Sequence, residues 1–185
     1  MIETILLSFI VAKIKKYKIL PIFKHWTIYP ILICAVIYIY LEWTIWHGDY
    51  SLVKYANIFK AVYLSCFLLL AIKYNQIKIY LKGICLVFIG YILNYIAMYY
   101  NDMKMPVFVS NSWWTGYAKP DMFFKALDQG DFHILGDMYT KAIPLCDTID
   151  LGYCCVSIGD ILVRSFAFLI IYYSIKASNN KYNNI

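Results

Sequence analysis

The fold of this chain is decided by residues 101–164, NDMKMPVFVSNSWWTGYAKPDMFFKALDQGDFHILGDMYTKAIPLCDTIDLGYCCVSIGDILVR. This polar stretch follows a series of apolar segments and runs directly into another, which carries Asp160 and Arg164. Loops of more than about 15 residues without structure of their own are uncommon in folded domains. We therefore expect residues 101–155 to fold over the ends of the neighbouring segments.

The composition places the chain among membrane proteins. Hydrophobic residues make up 62% of the sequence and charged residues 15%, and the mean hydropathy is +0.61. A soluble domain carries about 25% charged residues, and here the apolar residues form blocks long enough to cross a bilayer. The net charge of +6 reflects lysines in short turns, which set membrane orientation, so no nucleic-acid partner is predicted.

Five apolar segments predict an all-α integral membrane protein with one transmembrane domain, residues 1–176. The predicted spans are residues 2–14, 26–46, 52–72, 79–100 and 156–175, followed by a disordered cytoplasmic tail at 177–185. The first span is short for a bilayer of about 30 Å, so it either crosses with the help of snorkelling lysines or lies in the interface. Its basic residues follow the apolar run, the reverse of a signal peptide, so we expect a retained helix.

Small residues on the fourth span predict close approach of another helix. They recur at helical spacing at Gly83, Gly90, Asn94 and Ala97.

The placement of charges predicts the orientation. The turns after the first and third spans and the C-terminal tail are rich in lysine and contain no acidic residue. Glu3, Asp49 and the aspartates of 101–155 lie at the opposite ends of the spans. By the positive-inside rule, the lysine-rich turns and the C-terminus are cytoplasmic and the 101–155 loop is extracytoplasmic, in a cell membrane.

Several polar side chains fall inside the predicted spans, about 5–15 Å from the external interface at 1.5 Å per residue. Charges at that depth are costly unless paired, and sign and depth predict the pairs Asp160 with Arg164 and Glu42 with Lys60. Together with Asn94 they either form an outward-opening polar pocket capped by the loop or simply hold helices together. The second interpretation is favoured for Glu42 and Lys60, while the two are balanced for Asp160 and Arg164.

The loop offers a histidine and several carboxylates. His133 and Asp137 are four residues apart and would share a face if the segment were helical, and Asp147 and Asp160 could approach them. Such a set suits a divalent cation or proton transfer. The pattern is weak, a structural hydrogen bond to His133 is favoured, and neither a metal nor another cofactor is predicted.

Three cysteines lie outside the predicted spans. Cys146 could bridge to Cys154 or Cys155 in an oxidising exterior, or pair with His133 as a nucleophile. The cysteines inside the spans, Cys34, Cys66 and Cys85, are interpreted as apolar fillers.

Two helix starts can be predicted near the loop. PDMFFKALDQ indicates a short helix capped by Asp121, with an apolar face formed by Met122, Phe123 and Ala126. Ser157 is expected to cap the last span by accepting a hydrogen bond from the Asp160 amide.

A series of motifs runs in order from the fourth span to the last. They are Leu93-Asn94, Asn101, Met105-Pro106-Val107, His133, Thr140-Lys141, Leu145-Cys146-Asp147 and Ser157-Ile158-Gly159-Asp160. In order and spacing they resemble domain-of-unknown-function family 5317, a family of small bacterial membrane proteins, over roughly residues 83–175. The chain departs from the family at Cys146 and at Asp102-Met103, where glycine is usual, so the family pattern does not support a catalytic Cys146.

The resemblance implies a multi-pass fold without a known activity, and it singles out Asn94, Pro106, Asp147 and Asp160. We therefore expect a non-enzymatic membrane protein that binds a ligand or partner at its outer face. The alternatives are a membrane-embedded enzyme using Asp160, Asp147 or His133 for acid–base chemistry, and a passive subunit of a larger complex. Besides the lipid bilayer, a second copy or another membrane protein is a possible partner.

Overall fold

The computed structural model describes residues 2–182 and is mostly helical. Within that range it contains the helices α1 Ile2–Ile14, α2 Leu20–Phe23, α3 Tyr29–Trp46, α4 Ala56–Lys73, α5 Ile77–Tyr99, α6 Asn111–Trp114, α7 Met122–Asp128 and α8 Ile158–Tyr182. Its strands are β1 Met105–Val107, β2 His133–Leu135, β3 Ile149–Asp150 and β4 Cys155–Val156. The prediction of a mainly helical protein is confirmed, and the segment between α5 and α8 has local structure of its own.

Four helical segments among the described residues are long and apolar enough to cross a membrane. They are Trp26–Trp46, Val53–Lys73, Ile77–Tyr99 and Ile158–Asn180. These segments correspond to the predicted second to fifth spans, and together they indicate a membrane protein. Such sequences become helical because lipid offers no partner to an unpaired backbone N–H or carbonyl group.

Helix α1 is the exception among the predicted spans. It has 13 residues, so it is about 20 Å long at 1.5 Å per residue, against about 30 Å for the hydrocarbon core of a bilayer. Whether α1 crosses the bilayer therefore stays a prediction.

The chain divides into two compact units, each assembled from separated parts of the sequence. The terminal unit comprises residues 1–38, 58–87 and 164–185, and the central unit comprises residues 39–57 and 88–163. The long helices contribute to both units, so each unit is described by itself below.

In the terminal unit, α1 runs parallel to α8. A Glu3 carboxylate oxygen lies 3.6 Å from an Arg164 guanidinium nitrogen, and the Ser8 hydroxyl lies 3.4 Å from the carbonyl oxygen of Phe168. The contacts thus advance in the same direction along both helices. Ser8 is fully buried, because its small side chain lets the helices approach closely.

The core of the terminal unit includes a cluster of aromatic rings around α8. The Phe166 ring lies with its centroid 5.4 Å from those of Phe67 and Tyr80, in edge-to-face arrangements. A Cβ atom at Gly83 would lie 2.5 Å from a carbon of the Phe166 ring. The predicted close approach on this face of α5 is therefore real at Gly83, where a larger residue would displace the ring.

The end of α8 differs from the prediction. Residues 177–182, which were expected to be disordered, continue the helix, while residues 183–185 of the predicted tail lie outside the described residues. The Asn179 side chain accepts a hydrogen bond from the Lys18 amide (2.8 Å) and donates one to the Lys18 carbonyl (2.9 Å). The polar sequence was misleading because this asparagine is buried and satisfies backbone groups instead of facing water.

In the central unit, α5 and α8 meet almost backbone to backbone. A Cβ atom at Gly90 would lie 2.5 Å from the carbonyl oxygen of Gly159, and one at Gly159 would overlap the Asn94 side chain. The prediction of a small-residue face is confirmed here, and this contact brings Asn94 beside the first turn of α8.

The segment between α5 and α8 contains two small sheets. Strands β1 and β2 are parallel, with Met105 opposite His133 and Val107 opposite Leu135. On the other side of β1, Val107 forms a bridge with Asp147. Strands β3 and β4 form an antiparallel pair. The parallel arrangement places His133 and Asp147 on either side of the same strand.

Helix α7 confirms the short helix predicted from PDMFFKALDQ, and its Phe123 and Ala126 side chains are buried. The predicted capping role of Asp121 was wrong, because its side chain makes no capping hydrogen bond. Asp121 instead pairs with Lys125 one turn later, and this interaction lowers the pKa of the Asp121 carboxyl.

Candidate functional site

The first turn of α8 organises a set of polar side chains. The Asp160 amide donates a hydrogen bond of 3.0 Å to the Ser157 hydroxyl oxygen, so the predicted cap is confirmed. The Ser157 hydroxyl in turn donates to the Asn94 side-chain oxygen at 2.8 Å. The Asn94 amide group donates to the Asp160 carboxylate at 3.2 Å. These bonds form a closed ring that links α5 to α8, and we call it the Asn94–Ser157–Asp160 ring.

Strand β1 brings two further predicted residues together. Asp147 is held by its backbone, because its amide donates to the Pro106 carbonyl (3.1 Å) and its carbonyl accepts from the Phe108 amide (2.9 Å). His133 lies on the other neighbour of β1, and its Nε2 atom is 3.6 Å from a carboxylate oxygen of Asp147. The Asp147 side chain is only 4% exposed, whereas that of His133 is 36% exposed. The expectation that Asp147 approaches His133 is met.

The nearest partner of His133 is Asp131, which sequence reasoning missed. Its carboxylate oxygen lies 2.6 Å from Nδ1 of His133 and also accepts hydrogen bonds from the amides of Phe132 (2.7 Å) and His133 (3.4 Å). Aspartate commonly bonds to the amide two residues later in an Asx-turn. The spacing Asp-Phe-His in front of a short strand is the signal that could have identified this contact.

The charges around His133 favour its protonated form. Burial by itself would lower its pKa, but the hydrogen bond to Asp131 and the negative charges of Asp131, Asp147 and Asp160 hold the pKa above its usual value. Burial would likewise raise the pKa of Asp131, but the hydrogen bond and charge of His133 and two backbone amides hold it below its usual value. The result is an imidazole flanked by carboxylates that favour its protonated form, and we call this group the His133 cluster (Asp131, His133 and Asp147).

Asp137 is not part of this arrangement. His133 lies in β2, so the two residues do not share a helix face, and the expectation based on helical spacing was wrong. The Asp137 carboxylate accepts hydrogen bonds from the Tyr139 amide (2.9 Å) and the Thr140 hydroxyl (3.1 Å), in an exposed turn. Four-residue spacing failed here because the segment is not helical: β2 ends at Leu135, and Asp137 lies in the turn that follows it.

Two other predicted intramembrane residues, Arg164 and Glu42, have partners within their own units. Arg164 pairs with Glu3 in the terminal unit. In the central unit, the Glu42 carboxylate accepts a hydrogen bond of 3.0 Å from the Tyr117 hydroxyl. The pairings of Asp160 with Arg164 and of Glu42 with Lys60 stay predictions.

Tyr117 belongs to a segment that returns to the end of α3. Its ring makes an edge-on contact with Trp46 at 5.8 Å, and the Lys119 ammonium group donates to the Trp46 carbonyl at 2.8 Å. The segment after α5 therefore packs against a helix end, as the sequence predicted for residues 101–155.

Cys146 is a buried, free thiol. It lies 3.5 Å and 3.6 Å from the carbonyl oxygens of Ala142 and Lys141, and the predicted bridge to Cys154 or Cys155 is not formed. Burial and the neighbouring Asp147 raise the pKa of this thiol. The thiol therefore has little thiolate character, which disfavours the nucleophilic role considered for it.

Asp150 is a second residue that the sequence did not single out. Its carboxylate accepts hydrogen bonds from the amides of Ser110 (2.7 Å), Ser112 (2.8 Å) and Gly152 (2.8 Å) and from the Ser112 hydroxyl (2.6 Å). Burial would raise its pKa, but these donors lower it to about 2. Because α6 is too short to be stable by itself, Asp150 fixes it against the β3–β4 pair.

Residues 2–182 contain no group of three or more histidine, cysteine, aspartate or glutamate side chains arranged to hold a metal ion. The chemistry that the geometry offers is hydrogen bonding and proton exchange. Two polar groups carry it, the Asn94–Ser157–Asp160 ring and the His133 cluster, and the charge of Asp160 acts on His133.

Residues 19–172 match a family model described as a family of unknown function, DUF5317. This match covers most of the chain and includes every motif on which the resemblance was based. The search of curated proteins gave no match, and neither did the search of solved structures.

Proposed function

This chain belongs to the DUF5317 family, whose function is unknown, and on that premise we propose that it is a binding protein of the bacterial cell membrane. It binds a polar ligand or a partner on its extracytoplasmic side and catalyses no reaction. The binding groups are the Asn94–Ser157–Asp160 ring and the His133 cluster.

One observation carries this proposal: polar side chains from four separate parts of the sequence converge in the central unit. Residue 94 comes from α5, residues 131–133 from β2 and the turn before it, residue 147 from the segment beside β1, and residues 157–160 from α8. These polar side chains are not needed to pack α5 against α8, because close contacts at glycine residues already join the two helices. Buried carboxylates are costly to retain, so their convergence favours a role in recognition.

Exposure supports access to the site from one side. The His133 side chain is 36% exposed while its partner Asp147 is 4% exposed, so a ligand reaches the His133 ring before the Asp147 carboxylate. The neighbouring carboxylates raise the affinity for a ligand group that can accept a hydrogen bond from His133 and also donate one to a carboxylate.

The extracytoplasmic location rests on the lysine distribution. Lysine-rich turns mark one end of the predicted spans, with Lys13, Lys15, Lys16, Lys73 and Lys78. The polar site belongs to the opposite end, where the aspartates of residues 101–155 are found. The parallel course of α1 and α8 supports this orientation, because both helices run from the acidic end toward the lysine-rich end.

Native mass spectrometry tests the proposal directly. The detergent-purified wild-type protein is released gently and then with increasing activation, beside Asp160→Ala and the matched control Asp137→Ala, whose carboxylate lies in an exposed turn. We expect a discrete additional mass on the wild type and on the control that is absent from Asp160→Ala. Equal retention of that mass by all three proteins, or its absence from all of them, would contradict the proposed site.

An enzymatic role has one supporting observation. The Asp131–His133 hydrogen bond at 2.6 Å orients and charges an imidazole, as in general acid catalysis. A cellular phenotype separates the two functions when it is compared with the bound mass. If the protein only binds, His133→Ala, Asp147→Ala and Asp160→Asn each lose the phenotype together with the bound mass. If His133→Ala abolishes the phenotype while leaving the bound mass in place, the enzymatic alternative is favoured instead.

A further inference from the structure

Two cysteines of the terminal unit, which the proposed function does not use, lie in contact. The sulfur atoms of Cys34 on α3 and Cys66 on α4 are 4.0 Å apart. Cys34 is buried and Cys66 is partly exposed. The thiols therefore face each other across two neighbouring helices, and one of them is partly accessible.

Both sulfur atoms lie inside the apolar part of their helices. Cys34 is eight residues from the start of the Trp26–Trp46 segment and Cys66 is seven residues from the end of Val53–Lys73, which corresponds to a depth of about 10–12 Å at 1.5 Å per residue. Water-soluble oxidants have little access to that depth, and an apolar environment favours the neutral thiol over the thiolate.

A third side chain of the same unit lies near the pair. Tyr63, one turn before Cys66 on α4, is buried, and its hydroxyl has no hydrogen-bond partner among the described residues. This hydroxyl lies within electrostatic reach of Cys34, Cys66 and Glu3. A buried hydroxyl without a partner is costly.

We propose that Cys34 and Cys66 form a reversible disulfide between α3 and α4, with a lipid-soluble quinone as the oxidant. In the reaction both S–H bonds break, one S–S bond forms, and two electrons with two protons pass to the quinone, which becomes a quinol. No net charge is created in the membrane, so this exchange suits an apolar site better than oxidation by a charged reagent. The sulfur atoms must approach from 4.0 Å to about 2 Å.

The test uses the full-length protein in lipid nanodiscs with a decyl-substituted benzoquinone as the probe. After exposure, remaining thiols are alkylated under denaturing conditions, and peptides are identified by mass spectrometry while quinol is followed by absorbance. We expect loss of two alkylatable thiols, a linked peptide containing Cys34 and Cys66, and one quinol for each disulfide.

Three variants complete the experiment. Cys66→Ser and Cys34→Ser should each lower quinol formation at least tenfold, whereas Cys85→Ser, which alters an exposed cysteine of another span, should leave it unchanged. Cys66 is partly exposed, so its substitution keeps the test available if the Cys34 variant does not fold. Full alkylation of both cysteines after treatment of the wild type, or undiminished quinol formation by Cys66→Ser, would overturn the proposal. The result is independent of ligand binding by the central unit.

Discussion

At the scale of single residues, the contact between Asp131 and His133 makes stability depend on pH. The folded-state pKa of His133 lies above its reference value of 6.5. The contribution of His133 to the free energy of unfolding is therefore complete below pH 6.5 and is lost as the pH rises through the raised pKa. The pKa of Asp131 lies below its reference value of 3.8. Its contribution is therefore complete above that pH and is lost as the pH falls through the lowered value.

We expect the melting temperature of the detergent-purified protein to decline as the pH rises above about 6.5. His133→Gln should remove much of that alkaline decline and lower the melting temperature on the acidic side. His47→Gln is the matched control, because the His47 ring is exposed and bonded only to a backbone carbonyl of its own helix. Tryptophan fluorescence during heating measures all three proteins. An alkaline decline of unchanged size in His133→Gln would show that other groups cause it.

A second residue-scale prediction concerns the crossing of α5 and α8. Gly159→Ala adds a methyl group that would lie 2.5 Å from the Gly90 carbonyl oxygen and overlap the Asn94 side chain. We expect a loss of about 1–3 kcal/mol in the free energy of unfolding, since neither backbone can move freely.

Denaturation in mixed micelles measures the change, with Ile89→Ala on the exposed side of α5 as the control. The Asn94–Ser157–Asp160 ring should be disturbed by the same substitution, so ligand binding should weaken as well. If Gly159→Ala were as stable as the control, the helices would not cross this closely.

At the scale of elements, the last turns of α8 are fixed by a side chain and not by their own propensity. Asn179→Ala removes two hydrogen bonds to the backbone of Lys18 and leaves both of these groups without that partner. We expect the free energy of unfolding to fall by about 1–3 kcal/mol and the amides of residues 176–182 to exchange faster. Asn180→Ala, at an exposed neighbouring position, is the control and should behave as the wild type in hydrogen-exchange mass spectrometry.

The elements were predictable to different degrees for physical reasons. Long apolar runs predicted the four long helices, because a chain in lipid must satisfy its backbone internally. The strands β1 and β2 were not predicted, since they have three residues each and depend on pairing between segments far apart in sequence. Short strands carry little periodicity of their own, so only their tertiary partners decide them.

The residues of the candidate site were also predictable to different degrees. Ser157 was predictable because a helix cap depends on local sequence, and Asn94 followed from the small-residue face. The contact of Asp131 with His133 was missed, because the histidine was compared only with Asp137, four positions later, and with carboxylates far away in the sequence. Asp150 was missed because its partners, Ser110 and Ser112, lie about 40 residues earlier, as the separations of 40 and 38 show.

At the scale of the whole molecule, the proposed orientation can be measured by labelling. In a variant with its native cysteines replaced by serine, Trp114→Cys introduces a thiol at a position that is 92% exposed, and Lys73→Cys introduces one at the opposite helix ends. We expect a membrane-impermeant maleimide to label Trp114→Cys in intact cells. Lys73→Cys should react only after the membrane is permeabilised. The reverse pattern would place the polar site on the cytoplasmic side.

The parallel contact of α1 with α8 has a consequence for how the protein is made. Ser8 and Phe168 are separated by 160 residues, so the first helix emerges from the ribosome long before the last one exists. At roughly 5–20 residues per second, the delay is about 8–30 s. During that time Arg164 has not yet been synthesised as a partner for Glu3, and the surface of α1 around Ser8 is not yet packed against α8. The terminal unit is therefore completed only after α8 has been translated.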